Sequence, residues 1–171
     1  MGKDRNMDQK QMVYLGLGSN LGERVTNIES AIQALAPEVE ITKVSSLYQT
    51  KPWGFLDQPD FLNLVLEGIT ILSPIDLLVY LKEIENEIGR KPNFRYGPRL
   101  VDIDILLYGD EFIDENRLTI PHKHMKERAF VLVPMAEIAP DLKYPGTEET
   151  ISDLAGKVDS SGVILYQENN D

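Results

Sequence analysis

Residues 100–109, LVDIDILLYG, decide how the rest of the chain is read. Aliphatic and aromatic side chains dominate the run and Gly109 closes it, so it reads as a β-strand. Side chains alternate across a strand, which sends Asp102 and Asp104 to one face and Ile103 and Ile105 to the other, into the core. Two carboxylates held close together repel unless something cationic sits between them. Magnesium suits that position: it takes carboxylate oxygens and completes its shell with water and substrate phosphates. An acidic solvent face would give the same three residues, so the flanking sequence has to choose between these readings.

Immediately upstream, residues 89–99 read GRKPNFRYGPR. Arg90, Arg95 and Arg99 approach the carboxylates from a loop shaped by glycine and proline. Arginine's planar fork matches phosphate oxygens two at a time. Carboxylates for a metal beside arginines for phosphate are the general layout of phosphoryl transfer. A second basic cluster follows downstream: Arg117, His122, Lys123, Lys126 and Arg128. His122 and His124 flanking Lys123 would suggest a transition-metal site only with a third suitable ligand nearby, and none stands close in sequence.

Charge supports a local anionic ligand. The chain of 171 residues carries a formal charge of −11. Between Arg90 and Arg128, however, eight Lys or Arg face seven Asp or Glu, so this window is net +1 and the remainder −12. Five of the seven arginines lie inside it. A solvated salt-bridge network would also concentrate charge in this way. So acidic a chain is a poor binder of nucleic acid or anionic membrane in general.

Working outward, residues 12–18 (MVYLGLG) read as a first strand, and residues 25–36 carry apolar side chains at helical spacing. Residues 39–50 alternate as a second strand and residues 61–71 form a third. Ser73 and Pro74 open a second helix as N-cap and first helical residue. Its apolar face is Ile75, Leu78, Leu81, Ile84 and Ile88, and Gly89 stops it. With the strand at 100–109 the order is β-α-β-β-α-β, a ferredoxin-like α+β sheet with helices packed on one face. A helical segment is expected around residues 131–138, a short helix near 150–154 and a last strand at 163–166.

The length fits one domain, residues 12–171, with residues 1–11 as a flexible polar extension lacking the apolar centre of a signal peptide. No cysteine is present, which excludes disulfides and cysteine-held metal. No stretch approaches the roughly 18 apolar residues of a membrane span. A cytoplasmic monomer acting on small molecules is the expectation.

Residues 16–24, GLGSNLGER, resemble a nucleotide-binding glycine loop, but Leu21 stands where G-x-G-x-x-G needs glycine. No P-loop pattern occurs. These glycines read instead as a tight turn into the first helix, with Ser19 or Asn20 capping it. Residues 51–63, KPWGFLDQPDFLN, hold Trp53, Phe55, Phe61 and Asn63. Aromatic faces and an amide suit a flat heterocycle, although plain core packing would account for Phe61.

Taken in order, GLGSNLGER, VSSLYQTKPWGFLDQPDFLN, GRKPNFRYGPRLVDIDILLYG and RLTIPHKHMKERAFVLVPMAEIAP cover most of residues 13–145. Together they resemble the 6-hydroxymethyl-7,8-dihydropterin pyrophosphokinases of folate biosynthesis. The resemblance implies transfer of pyrophosphate from ATP to the pterin hydroxymethyl group, release of AMP, and two magnesium ions. It implies Asp102 and Asp104 as metal ligands, Asp104 also counting as catalytic, and Arg90 and Arg99 acting on the phosphates. It implies ATP contacts at Lys82, Glu85, Arg95, Tyr96, Arg99, Ile105, Arg117, Thr119, His122, Lys123 and Arg128. The pterin would meet Thr50, Pro52, Trp53, Phe61, Asn63 and Phe130, with Phe61 and Phe130 as an aromatic sandwich. Departures from the family pattern fall at Lys51, Trp53, Phe61, Lys82, Tyr96 and Lys123.

Two other readings remain at this stage. A nucleotidyltransferase could draw on Gly18 and Ser19 with Asp102 and Asp104, though more than eighty residues part those motifs. A non-catalytic ferredoxin-like binding domain would need neither paired aspartates nor clustered arginines.

Overall fold

The computed structural model describes residues 9–52, 57–89 and 100–167. The order is β1 (Gln11–Ser19), α1 (Arg24–Leu35), β2 (Val39–Val44), β3 (Tyr48–Thr50), β4 (Phe61–Thr70), α2 (Pro74–Ile88) and β5 (Asp102–Tyr108). There follow β6 (Ile113–Glu115), β7 (Leu118–Ile120), a 3-10 turn at Met125–Glu127, α3 (Ala129–Ile138), α4 (Ile151–Ala155) and β8 (Ile164–Leu165). The main sheet is antiparallel, ordered β5-β1-β4-β3-β8 with β2 also on β4, while β6 and β7 form a separate hairpin. This is the ferredoxin-like α+β arrangement the alternation of elements predicts. The proposed extension lies outside the described residues up to residue 8, and β1 begins at Gln11.

Four expectations change. The second strand, read as continuous over 39–50, is broken into β2 and β3. From Val44 to Tyr48 it advances four residues while β4 advances three, from Leu66 to Asn63. Ser45 causes the offset: its N–H donates to Val65 O at 2.9 Å and its Oγ accepts the Val65 N–H at 3.0 Å, replacing a regular ladder step. The cap of α1 is Glu23 with no side-chain capping bond, so neither Ser19 nor Asn20 caps it. Both are buried, and Asn20 instead donates to Gln58 Oε1 at 2.7 Å. The buried stripe of α2 is Pro74, Leu77, Leu81 and Ile84, with Ile75, Leu78 and Ile88 at its margin. Its cap is as expected, Ser73 Oγ accepting the Asp76 N–H at 3.2 Å.

The fourth change concerns layers. One sheet face packs on α1 and α2, joining Leu15, Leu17, Leu64 and Ile103 to Ile28, Leu35, Leu77 and Leu81. The other is not left bare: Tyr14, Val65 and Leu106 pack with Val131, Leu132 and Met135 of α3 and with Ile151 and Leu154 of α4. Helices therefore cover both faces. The helix α3 is apolar nearly all round, so its periodicity carries no sign of which face it meets.

Candidate active site

The cleft opens on the α3 side of the sheet. Along β1, Leu15 and Leu17 enter the α1–α2 core, so Gly16 and Gly18 face the other way. Gly16 pairs with Asp104 on one side and Val65 on the other, and Gly18 with Asp102 and Asn63. Each rung thus places a carboxylate and a β4 side chain across a bare glycine. The alternation of β5 holds as far as Leu106, where a bulge against Tyr14 and Leu15 resets it. Both aspartates lie before that bulge, which is why they share a face.

The resulting cavity has a volume of about 410 Å³. Thr50, Phe61, Asn63, Asp102, Asp104, His122, Arg128 and Phe130 all line it. Asn63 is 8% exposed and donates from Nδ2 to Thr50 Oγ1 at 2.9 Å, which fixes the amide plane. A Cβ built on Gly18 would sit 2.8 Å from Asn63 Oδ1, so glycine is what leaves that oxygen room. Arg128 caps the start of α3, its guanidinium 5.5 Å from the Phe130 ring centroid.

His122 is fixed from two directions. Its N–H donates to Leu106 O at 2.9 Å, tying it to β5. Its Nδ1 accepts the His124 N–H at 3.2 Å, so the neutral ring carries its proton on Nε2. Burial lowers its pKa below the usual histidine value, Arg128 and His124 lower it further, and Asp104 opposes them. Near neutral pH the ring is therefore an uncharged Nε2–H donor.

The other residues named from sequence are placed elsewhere or not described. Lys82 and Glu85 lie on α2 and pair with each other at 3.0 Å, outside the cavity lining. Arg117 is exposed in the turn between β6 and β7, Thr119 is half-buried in β7 and Lys123 is exposed. The side chain of Ile105 belongs to the core on the far face, so only its backbone could meet a ligand in the cleft. Pro52 is buried and does not line the cavity. Arg90, Arg95, Tyr96 and Arg99, together with Trp53, lie outside the described residues.

Residues unassigned from sequence also contribute. Gly16 and Gly18 form the floor, and only Gly22, with φ of 68°, has the turn conformation expected of all three. The strict alternation of glycine with Leu15 and Leu17 was the available signal. Lys51, His124, Val65, Leu106 and Val131 also line the cavity, and Leu17 and Leu64 complete the lining.

The carboxylates fit a magnesium site of the open kind. Asp104 is exposed and Asp102 half-buried at one cleft wall. Among the described residues no group of three or more His, Cys, Asp or Glu is arranged to hold a metal. A complete protein-built cage is thus absent from these residues, and with it the His122–His124 transition-metal option. Two carboxylates leaving the remaining positions to water and phosphate is what magnesium accepts.

Comparison with known proteins identifies the family and the fold. Residues 14–140 match the family model for 7,8-dihydro-6-hydroxymethylpterin-pyrophosphokinase (HPPK). The 2-amino-4-hydroxy-6-hydroxymethyldihydropteridine pyrophosphokinase of Aquifex aeolicus is 48% identical over 133 residues, which cover 78% of this chain and 83% of that protein. The protein of the same name from Methylorubrum extorquens is 44% identical over 152 residues, 88% of this chain and 95% of the relative. A crystal structure of Plasmodium falciparum HPPK-DHPS superposes with a TM-score of 0.70 at 18% identity, covering 91% of this chain. The match spans 46% of that longer chain and shows a shared fold.

Proposed function

The chain belongs to the 7,8-dihydro-6-hydroxymethylpterin-pyrophosphokinase family, and from that premise we propose how its cleft carries out the reaction. The enzyme transfers the pyrophosphoryl group of ATP to hydroxymethyldihydropterin in folate biosynthesis. The hydroxymethyl oxygen forms a bond to the β-phosphorus. The bond from that phosphorus to the oxygen of the α-phosphate breaks, AMP leaves with the electron pair, and the hydroxyl proton passes to solvent water.

One observation carries the assignment of residues. The three-residue rungs Asp102–Gly18–Asn63 and Asp104–Gly16–Val65 set the carboxylates and a heterocycle-sized hollow side by side on one sheet face. Asn63, held by Thr50, offers Oδ1 to the N–H edge of the pterin. Phe61 and Phe130 stack on its faces. His122 donates from Nε2 and Arg128 from its guanidinium to phosphate oxygens. Asp102 and Asp104 would hold magnesium, two ions in the full reading, and the metal bound there would neutralise charge on the triphosphate. Holding both substrates in line across the glycine floor supplies the proximity on which such a transfer depends.

The peripheral assignments form part of the same reading. Lys82, Glu85, Arg95, Tyr96, Arg117, Thr119 and Lys123, with the backbone at Ile105, meet ATP. Arg90 and Arg99 act on the phosphates as the α–β bond breaks, while Pro52 and Trp53 border the pterin. Residues 12–171 act as one unit, monomeric and cytoplasmic. No helix among the described residues is long and apolar enough to cross a membrane.

An AMP-release assay with ATP, magnesium and 6-hydroxymethyl-dihydropterin tests the reading, run with and without the pterin. AMP must form only when the pterin and magnesium are both present. Release of pyrophosphate instead would indicate nucleotidyl transfer, and binding without turnover would indicate a non-catalytic domain.

A further inference from the structure

Glu85 does not line the cleft, yet it grips the strand that carries the carboxylate pair. In the sheet order β5 is an edge strand, with β1 as its neighbour. The Ile103 N–H is accepted by Glu85 Oε2 at 2.8 Å. The second oxygen, Oε1, lies 3.0 Å from Lys82 Nζ, and the Glu85 side chain is only 9% exposed. Further along the strand, the His122 N–H meets Leu106 O at 2.9 Å. The strand is therefore pinned on either side of Asp104, at Ile103 by a side chain from α2 and at Leu106 by the backbone.

The position of that first pin matters chemically. Ile103 stands between Asp102 and Asp104, so the orientation of its peptide sets the pleat that turns both carboxylates into the cleft. Like charges on one face push apart. An edge strand has a ladder on one side only to resist the splay. A hydrogen bond to an ionised acceptor is stronger than a neutral one, and a bond in a largely buried place is less easily exchanged for water. Leu81 and Ile84 of α2 share one hydrophobic core with Ile103 and Ile105 of β5, and that packing keeps Glu85 at the required height.

We propose that Glu85 is a positioning residue: by holding the Ile103 amide it sets the spacing of Asp102 and Asp104 that receives the metal-bound triphosphate. The grip on Ile103 stands on geometry alone, and its consequence for magnesium rests on the metal reading given above.

Three full-length proteins test the proposal: wild type, Glu85→Ala and Glu85→Gln. Glutamine keeps a carbonyl oxygen for the Ile103 N–H, and alanine keeps nothing. The first readout is hydrogen exchange at the Ile103 amide in protein stripped of metal. Exchange should be about tenfold faster in Glu85→Ala, with glutamine restoring most of the protection. The second readout is the magnesium dependence of AMP release. Its half-saturation should rise by about tenfold in the alanine variant, the scale typical of groups that orient metal ligands, and fall back in the glutamine variant. Should Glu85→Ala fail to fold, Glu85→Asp replaces it, since aspartate keeps the charge but is too short to reach Ile103.

Unchanged Ile103 exchange in the alanine variant, or the aspartate one in its place, overturns the proposal whatever the activity does. So does a rise in KM for ATP that is equal in the alanine and glutamine variants with unchanged magnesium dependence, which would make Glu85 a nucleotide contact only. If the wild type turned over without any divalent cation, the metal reading would fall. The Ile103 exchange would still decide whether Glu85 holds the strand.

Discussion

The two faces of the sheet are built from the same strands and differ in what they leave out. Toward α1 and α2, β1, β4 and β5 present Leu15, Leu17, Leu62, Leu64, Ile103 and Ile105, all buried. Toward α3 the same strands present Gly16, Gly18, Asn63, Val65, Asp102 and Asp104. The first face excludes water and supplies stability. The second gives up packing at two glycines, and that missing volume is where a substrate can lie over the carboxylates. Polarity alone does not mark the site, because the second face also carries Glu67. Glu67 is 7% exposed, accepts from Tyr14 Oη at 2.5 Å and from Thr42 Oγ1 at 2.8 Å, and has only the fold to serve. Asp104 is exposed and faces the cleft.

The sharpest way to break this contrast is Asp104→Ala. Losing a preorganised charge at a phosphoryl-transfer site should lower kcat on the order of 10²–10³-fold, the range seen when such a group is deleted. Because Asp104 is exposed, thermal melting should stay close to wild type. Near-normal AMP release with magnesium present would remove Asp104 from the mechanism.

Leu35→Ala tests the opposite face. Leu35 is fully buried in the α1–α2 core, so its truncation should cost about 2–5 kcal/mol of unfolding free energy, read from denaturant titration. Turnover per folded molecule should hold. A variant with wild-type stability and impaired kcat would mean that the two faces are not separable.

Tyr14→Phe asks the same of Glu67. Removing the hydroxyl leaves a buried carboxylate short of one donor, at a cost of about 1–3 kcal/mol. Burial and Glu67 also raise the Tyr14 pKa well above the ordinary tyrosine value, so the phenol stays protonated as the donor throughout the working pH range. A rise in pterin KM without loss of stability would move Glu67 from the scaffold into the site.

What could be read in the sequence follows the same division. The alternation at residues 100–109 placed Asp102, Ile103, Asp104 and Ile105 on their correct faces because the bulge in β5 comes later, at Leu106. Ser73 and Gly89 ended α2 correctly because caps are local chemistry. The stripe of α2 was read correctly at Leu81 and Ile84 but centred on Ile75 and Leu78: Ile75, Leu77, Leu78 and Leu81 allow two apolar faces, and tertiary packing buries Leu77 and leaves Leu78 at the margin. The break at Ser45 depends on Val65, a partner twenty residues away. The glycines of β1 were read as a turn into α1, although Gly16 and Gly18 already lay in the first strand, where period-two spacing puts them on one face. Arg90 and Arg99 fall outside the described residues, and His122 and Arg128 are basic side chains named from the sequence that line the cleft.

The two glycines give the finest test, since they share a strand and a face but not their surroundings. A Cβ on Gly16 would meet the Leu106 side chain at 3.6 Å, an ordinary contact. Alanine fits there, and reduced freedom of the unfolded chain should make Gly16→Ala neutral or up to about 1 kcal/mol stabilising. A Cβ on Gly18 would come within 2.8 Å of Asn63 Oδ1, so Asn63 must swing away and strain or lose its bond to Thr50. That bond is worth about 1 kcal/mol, so Gly18→Ala should raise the KM for the pterin about fivefold with a smaller change in kcat. Gly16→Ala should leave that KM within about twofold of wild type, since its methyl meets Leu106 and not a hydrogen-bonding group. Equal penalties at both positions would mean that cavity volume alone matters. A penalty confined to Gly18 would show that the glycine serves to keep the Asn63 amide in place.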